Sequence, residues 1–204
     1  MITIINYGLG NIRAFVNVYE RLNIKIKIAE KACDLKSASK IILPGVGAFD
    51  YAMNKLNESG MRDELEKLVI EYKIPVLGIC VGMQIMASSS EEGKQSGLCW
   101  IDGHVKLFDT TLIPYQTKLP HMGWNDMKSV IGNRLTSDLG SDPRFYFLHS
   151  YHFVCNNESD IVATTQYGTT YPSVINRDNI YGIQFHPEKS HANGIKVLSN
   201  FANL

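Results

Sequence analysis

The sequence predicts an α/β fold: a mainly parallel sheet covered by helices on both faces, with antiparallel strands added in the second half. Three observations carry that expectation. Strand-like and helix-like stretches alternate through the first half, and the strand-like runs there are continuously apolar, as strands buried on both faces are. Beyond about residue 100 the strand-like segments are separated by turns rather than helices, which predicts antiparallel pairing.

Ile2 to Asn6 opens the chain as an apolar strand. Asn11 to Leu22 follows as a helix, with Asn11 as its cap because an asparagine oxygen can accept from the orphan N–H groups of the first turn. Lys25 to Ala29 alternates like a strand, and Ile41 to Leu43 is a short buried one. Met61 to Tyr72 reads as a helix, Val76 to Ile79 as another buried strand, and Met83 to Ala87 as a helix start. In the second half, Val105 to Phe108, Phe145 to His149, Ile161 to Thr165, Ser173 to Asn176 and Tyr181 to Phe185 are strand-like, and Gly194 to Phe201 is a closing helix. No repeat, low-complexity tract or linker interrupts residues 1–204, so a single domain is expected.

At 204 residues and 45% hydrophobic, the chain can bury one full core. A formal net charge of zero gives no electrostatic case for nucleic acid or an anionic membrane as partner. The N-terminal run lacks a basic flank and a small-residue cleavage site, so it is expected to be a strand and not a signal peptide. Nothing approaches the length needed to span a bilayer. Cys33, Cys80, Cys99 and Cys155 have neither C-x-x-C spacing nor the density of a disulfide scaffold, which fits a cytoplasmic protein.

Two short runs far apart carry the chemistry: Gly78-Ile79-Cys80-Val81-Gly82 and Gln184-Phe185-His186-Pro187-Glu188. A lone Cys among apolar residues ordinarily packs as a small hydrophobe. Here the thiol falls between a buried strand and a helix start, and the flanking glycines are expected to permit a tight, strained turn that lifts a nucleophile out of the chain. A helix N-terminus would also favour the thiolate. His186 is delivered at a strand end, Pro187 fixes the direction, and Glu188 lies two residues on, able to orient the imidazole. Thiol, base and carboxylate make a triad candidate.

In a doubly wound sheet, ligands gather at the carboxyl ends of the strands. Pro44-Gly45-Val46-Gly47 leaves one such end, where its N–H groups, with that of Val81, could hold an oxyanion; an ordinary turn is the competing reading. Tyr7-Gly8-Leu9-Gly10-Asn11 partly imitates a dinucleotide fingerprint, but Arg13 replaces the third glycine, so a tight turn is the better reading. Glu92 lies near enough to the nucleophile's helix to meet a substrate ammonium. His149 and His152 would point to opposite faces of one strand, so no metal site is expected, and His104, His121 and His191 are expected at the surface or behind the site.

The motifs PGVGAF, GICVGMQ, SSEEG, PHMGWN, YFLHSY and GIQFHPEKS, in this order over nearly the whole chain, resemble the class I (triad) glutamine amidotransferases. Within them the sequence is most similar to the glutaminase subunits of imidazole glycerol phosphate synthases. The resemblance implies a three-layer, flavodoxin-like fold and no cofactor. It implies that Cys80 attacks L-glutamine, that His186 protonates the ammonia and that Glu188 orients His186. Val46, Gly47 and Val81 match oxyanion and substrate contacts; Gln84, Glu92, Ser150 and Tyr151 match residues that hold the glutamine. Trp124, Tyr146, His149 and Lys189 match residues facing the partner and the ammonia route. That partner is a (β/α)8 barrel cyclase subunit, forming a heterodimer. Val81, where the family more often has Leu, and the first helix also resemble relatives that feed a nucleotide-sugar amidotransferase in surface polysaccharide synthesis. The glutaminase chemistry is common to both.

Overall fold

The first apolar run forms strand β1 (Ile2–Ile5), every residue of it buried. Asn11 caps helix α1 (Ile12–Arg21), its side-chain oxygen accepting from the Ala14 N–H at 3.3 Å, and Phe15, Val16, Val18 and Tyr19 form the buried stripe. The computed structural model describes every residue from Met1 to Leu204. Chain order continues with β2 (Ile26–Ala29), the short α2 (Ala32–Leu35), β3 (Lys40–Gly45) and α3 (Phe49–Glu58). Helix α4 (Arg62–Glu66) then widens into a π-helical turn over Lys67–Glu71 before β4 (Val76–Cys80) and α5 (Val81–Gln84). The second half runs β5 (Ser89–Ser90), β6 (Gly103–Leu107), β7 (His121–Asp126), β8 (Lys128–Ser129), β9 (Arg144–His149), β10 (Tyr151–Cys155), β11 (Ile161–Tyr167), β12 (Thr169–Arg177), β13 (Ile180–Ile183) and α6 (His191–Ala202).

The main sheet has the order β2-β1-β3-β4-β13-β12-β11-β8. Its first five strands are mutually parallel, and β12, β11 and β8 extend it antiparallel. Helices cover both faces, α1 packing beside α6 and α2 beside α4. One continuous cluster of 55 buried apolar side chains runs from Ile2 to Phe201, so both halves of the chain share a core. A small sheet, β10-β6-β5, and the antiparallel pair β7-β9 sit beyond it. This is the expected α/β fold with its antiparallel additions. Because β1, β3, β4 and β13 are parallel, the loops leaving their carboxyl ends gather at one edge.

Three expectations need correction. The helix anticipated over Met83 to Ala87 is only the single turn α5: the carbonyls of Ile85, Met86 and Ala87 accept instead from Leu98, Trp100 and Cys99 of a returning loop. Gly97 admits that loop, since a Cβ there would overlap the Ala87 carbonyl oxygen. The closing helix begins at His191, three residues early. Helix α3 was not anticipated, although Phe49, Ala52, Met53 and Leu56 bury one stripe at helical spacing.

Candidate active site

Strand β4 ends on Cys80, which is 3% exposed and has φ 55° and ψ −113°. A positive φ on a non-glycine residue is strained and persists only when its surroundings hold it. The sequence located the strain in the flanking glycines; the strained residue is Cys80 itself, and the glycines are needed for close approach. A Cβ on Gly78 would lie 2.6 Å from the Gly82 carbonyl oxygen, and one on Gly82 would overlap the carbonyl oxygen of Leu43 in β3. Gly45, register partner of Cys80, could not carry a Cβ either, because the Gly82 nitrogen would be 2.5 Å away. Gly45 and Gly82 thus let β3 press against the turn that presents the thiol, and Gly78 lets that turn fold back on its own strand. With α5 one turn long, what it offers that turn is free N–H groups and not an extended helix dipole.

The candidate base comes from the neighbouring strand. β13 continues through Gln184 and Phe185 to His186, whose N–H donates to the Tyr146 carbonyl of β9 at 2.9 Å. Its ring Nδ1 is 3.0 Å from Glu188 Oε1, both side chains buried. A carboxylate only accepts, so Nδ1 carries the proton. Burial works against an imidazolium here, but the bonds and charges of Cys80 and Glu188 outweigh it and hold the His186 pKa up at about 10. Nε2 lies within the influence of the thiol yet has no partner of hydrogen-bond geometry. The sulfur has two weak neighbours, the Leu148 carbonyl at 4.0 Å and the Gln184 amide, which donates to it at 3.8 Å.

A cleft of about 340 Å3 opens over the thiol. All ten residues that the sequence singled out for catalysis and glutamine contact line it. Asn11, Pro120 and Leu148 join them without having been singled out. Gly47 has φ +94°, and the N–H groups of Val46 and Gly47 donate to no protein acceptor. Their loop is tied down by the Tyr7 hydroxyl, which donates to the Pro44 carbonyl at 2.6 Å. Val81 opens α5, where a helix has no internal acceptor for the N–H. The Gln84 amide donates both to the Tyr151 carbonyl at 3.0 Å and to Gln184 Oε1 at 3.1 Å, leaving its own oxygen without a protein donor. Glu92 accepts the Phe49 N–H at 2.8 Å through one oxygen; burial raises its pKa, opposed by that bond.

The four residues matched to the partner and ammonia route divide. Trp124 is 40% exposed and lies flat on His191, ring centroids 5.1 Å apart. Tyr146 stands opposite it in register, with the Lys189 ammonium over its ring. His149 turns inward: its Nδ1 donates to the Tyr151 carbonyl at 2.7 Å, and its Nε2 is 3.3 Å from His121 Nδ1. It presents no surface to a partner, although it lines the cleft. His121 is also buried, so of the two places expected for it, at the surface or behind the site, it takes the second, against cleft-lining His149; desolvation pushes its pKa down to about 4. His149 and His152 lie on successive strands of different sheets, both buried against Phe108, and no group of three or more His, Cys, Asp or Glu side chains is arranged to hold a metal ion.

A strained thiol elbow, a carboxylate-oriented imidazole and a polar cleft between them define a thiol amidohydrolase site. The chain belongs to the class-I glutamine amidotransferase family, whose model matches residues 3–203. The imidazole glycerol phosphate synthase subunit HisH of Leptospira interrogans is 53% identical to it over 204 residues, covering 100% of both chains. The HisH subunit of Bdellovibrio bacteriovorus is 52% identical with the same coverage. Within the class, the chain is therefore of the HisH type, the glutaminase subunits of that synthase. A crystal structure described as a glutamine amidotransferase superposes with a TM-score of 0.76 at 20% identity, covering 100% of this chain and 99% of that one, which shows the shared fold.

Proposed function

We propose that Cys80 Sγ attacks the side-chain carboxamide carbon of L-glutamine with the proton of the pair already held on His186, which Glu188 and the sulfur keep as an imidazolium. The tetrahedral oxyanion is held by main-chain N–H groups of Val46, Gly47 and Val81. His186 returns the proton to the departing nitrogen, ammonia leaves, and a glutamyl thioester remains on Cys80. Water deprotonated by His186 then cleaves the thioester, releasing glutamate and restoring the thiol. One difficult amide hydrolysis becomes two easier steps. Gln84, Glu92, Ser150 and Tyr151 hold the amino-acid end, Glu92 placing a carboxylate where an α-ammonium needs one. The observation that carries this reading is the burial of Cys80, His186 and Glu188 around one cleft, with the strained residue being the nucleophile itself.

The ammonia is passed to a cyclase subunit of the (β/α)8 type in a cytoplasmic heterodimer, yielding imidazole glycerol phosphate and aminoimidazole carboxamide ribotide for histidine biosynthesis. Exposed Met122 and Trp124 on β7, with Tyr146 and Lys189 behind them, support docking at the mouth of the site. Direct delivery keeps ammonia from being protonated and lost to solvent. In the complex, Cys80→Ala abolishes glutamine-dependent synthesis and leaves ammonia-dependent synthesis intact. Equal loss of both would overturn the division of labour, and co-purification with a nucleotide-sugar amidotransferase in place of a cyclase would redirect the ammonia.

A further inference from the structure

Ser190 occupies the N-cap position of α6, where a serine hydroxyl ordinarily accepts from an N–H two or three residues on. It makes no such bond. The hydroxyl donates instead to the His186 carbonyl at 2.6 Å and accepts the Tyr146 N–H at 3.0 Å. The His186 N–H closes the circuit on the Tyr146 carbonyl. The His186 N–H therefore ends on Tyr146 and its carbonyl on the Ser190 hydroxyl, with the Lys189 N–H as a second, longer donor at 3.1 Å, while its side chain ends on Glu188. Ser190 is 1% exposed, so water does not compete for its hydroxyl. Helix α6 comes this close because Gly194 lacks a Cβ, which would overlap the Pro187 carbonyl oxygen. A residue that forgoes its local role at a helix end marks a place where a functional demand has prevailed.

We propose that Ser190 is a positioning residue for the glutaminase reaction: its hydroxyl fixes the main chain of His186, so that Nδ1 stays on Glu188 and Nε2 stays aimed at the thiol. It also ties the base to β9 at Tyr146, beside the exposed Trp124, so that displacement of that strand is felt at His186. This inference rests on His186 being the base.

The test uses the complex with its synthase partner and measures kcat and KM for glutamine, ammonia-dependent synthesis, Tm and the pH profile of kcat/KM. Ser190→Ala lowers kcat about tenfold, the scale of one buried hydrogen bond to a reacting group, with KM changed less than about twofold. Ammonia-dependent synthesis is unchanged, the pH limb assigned to His186 moves, and Ser190→Thr, which keeps the hydroxyl, restores kcat. Ser190→Gly removes the hydroxyl while keeping a tolerated cap residue and gives the same kcat loss, which covers a failure of the alanine variant to fold. Turnover within about twofold of the parent in either hydroxyl-less variant, with only Tm lowered, would make the hydroxyl merely structural and overturn the proposal. A threonine variant that melts like the parent but stays slow would also overturn it. Parental turnover in His186→Ala would bring down the assignment of the base instead.

Discussion

The two halves of the site are held by different forces. The Cys80 turn is a steric construction: Gly45 and Gly82 remove the atoms that would keep β3 from the elbow, Gly78 those that would keep the turn from its own strand, and the backbone stores its strain at Cys80. The His186 turn is a polar construction, with Glu188 on the ring, and Tyr146 and Ser190 on the main chain. Steric positioning admits few intermediate states, because close-packed backbone cannot yield by small amounts. Polar positioning degrades one bond at a time. Damage to the first half should therefore appear as loss of fold, and damage to the second as loss of rate.

Gly82→Ala tests this contrast with the largest expected effect. Its Cβ would collide with a backbone oxygen, and backbone cannot rotate away as a side chain can. Denaturation should show a loss of roughly 3 kcal/mol or more, or no folded protein. A loss below about 1 kcal/mol would mean that the elbow relaxes freely, and the steric account of Cys80 would fail.

Glu188→Gln breaks the polar half. The side chain keeps its shape but can no longer accept as a carboxylate, so kcat for glutamine falls about a hundredfold. The pH dependence of stability sharpens the point. His186 has a folded pKa near 10, above its ordinary 6.5, so its contribution is complete below about 6.5 and is lost as pH rises through about 10. In the glutamine variant that loss begins at lower pH. Buried His121 has the opposite sign: with a pKa near 4, its contribution is complete above about 6.5 and is lost as pH falls toward 4. An alkaline limb unchanged by Glu188→Gln would exclude this ion pair as its cause.

The smallest effect belongs to the substrate shell. Glu92→Gln raises KM for glutamine about tenfold and changes kcat less than about threefold, because a lost ion pair to the ammonium weakens ground state and transition state alike. A fall in kcat with KM constant would place Glu92 in the chemistry.

Local pattern made the parallel half legible: the apolar runs at Ile2, Ile41 and Val76, the cap at Asn11, and glycines on both sides of Cys80. The triad candidate was legible as well, since two short motifs hold all three of its members. Contacts between distant residues were not. That β13 inserts between β4 and β12, bringing His186 to Cys80, is a property of sheet order that no local window contains. The inward turn of His149 and the burial of His121 follow from the pairing of β7 with β9, and β7 carries polar residues and a glycine that hide its alternation. Ser190 carries no local signal of its own beyond lying in the motif that holds His186; only the partners of its hydroxyl in the folded chain distinguish it. Glu92 was within reach from sequence, but not the α3 N–H that holds it, because α3 itself was overlooked.

The central claim is that Cys80, of the four cysteines present, forms the covalent intermediate. Acid-quenching the complex during turnover with isotope-labelled glutamine, followed by peptide mass analysis, tests it most directly. The glutamyl label should appear on the peptide containing Cys80 and vanish in Cys80→Ala. Label on Cys33, Cys99 or Cys155, or turnover that persists with no labelled thiol, would contradict the account.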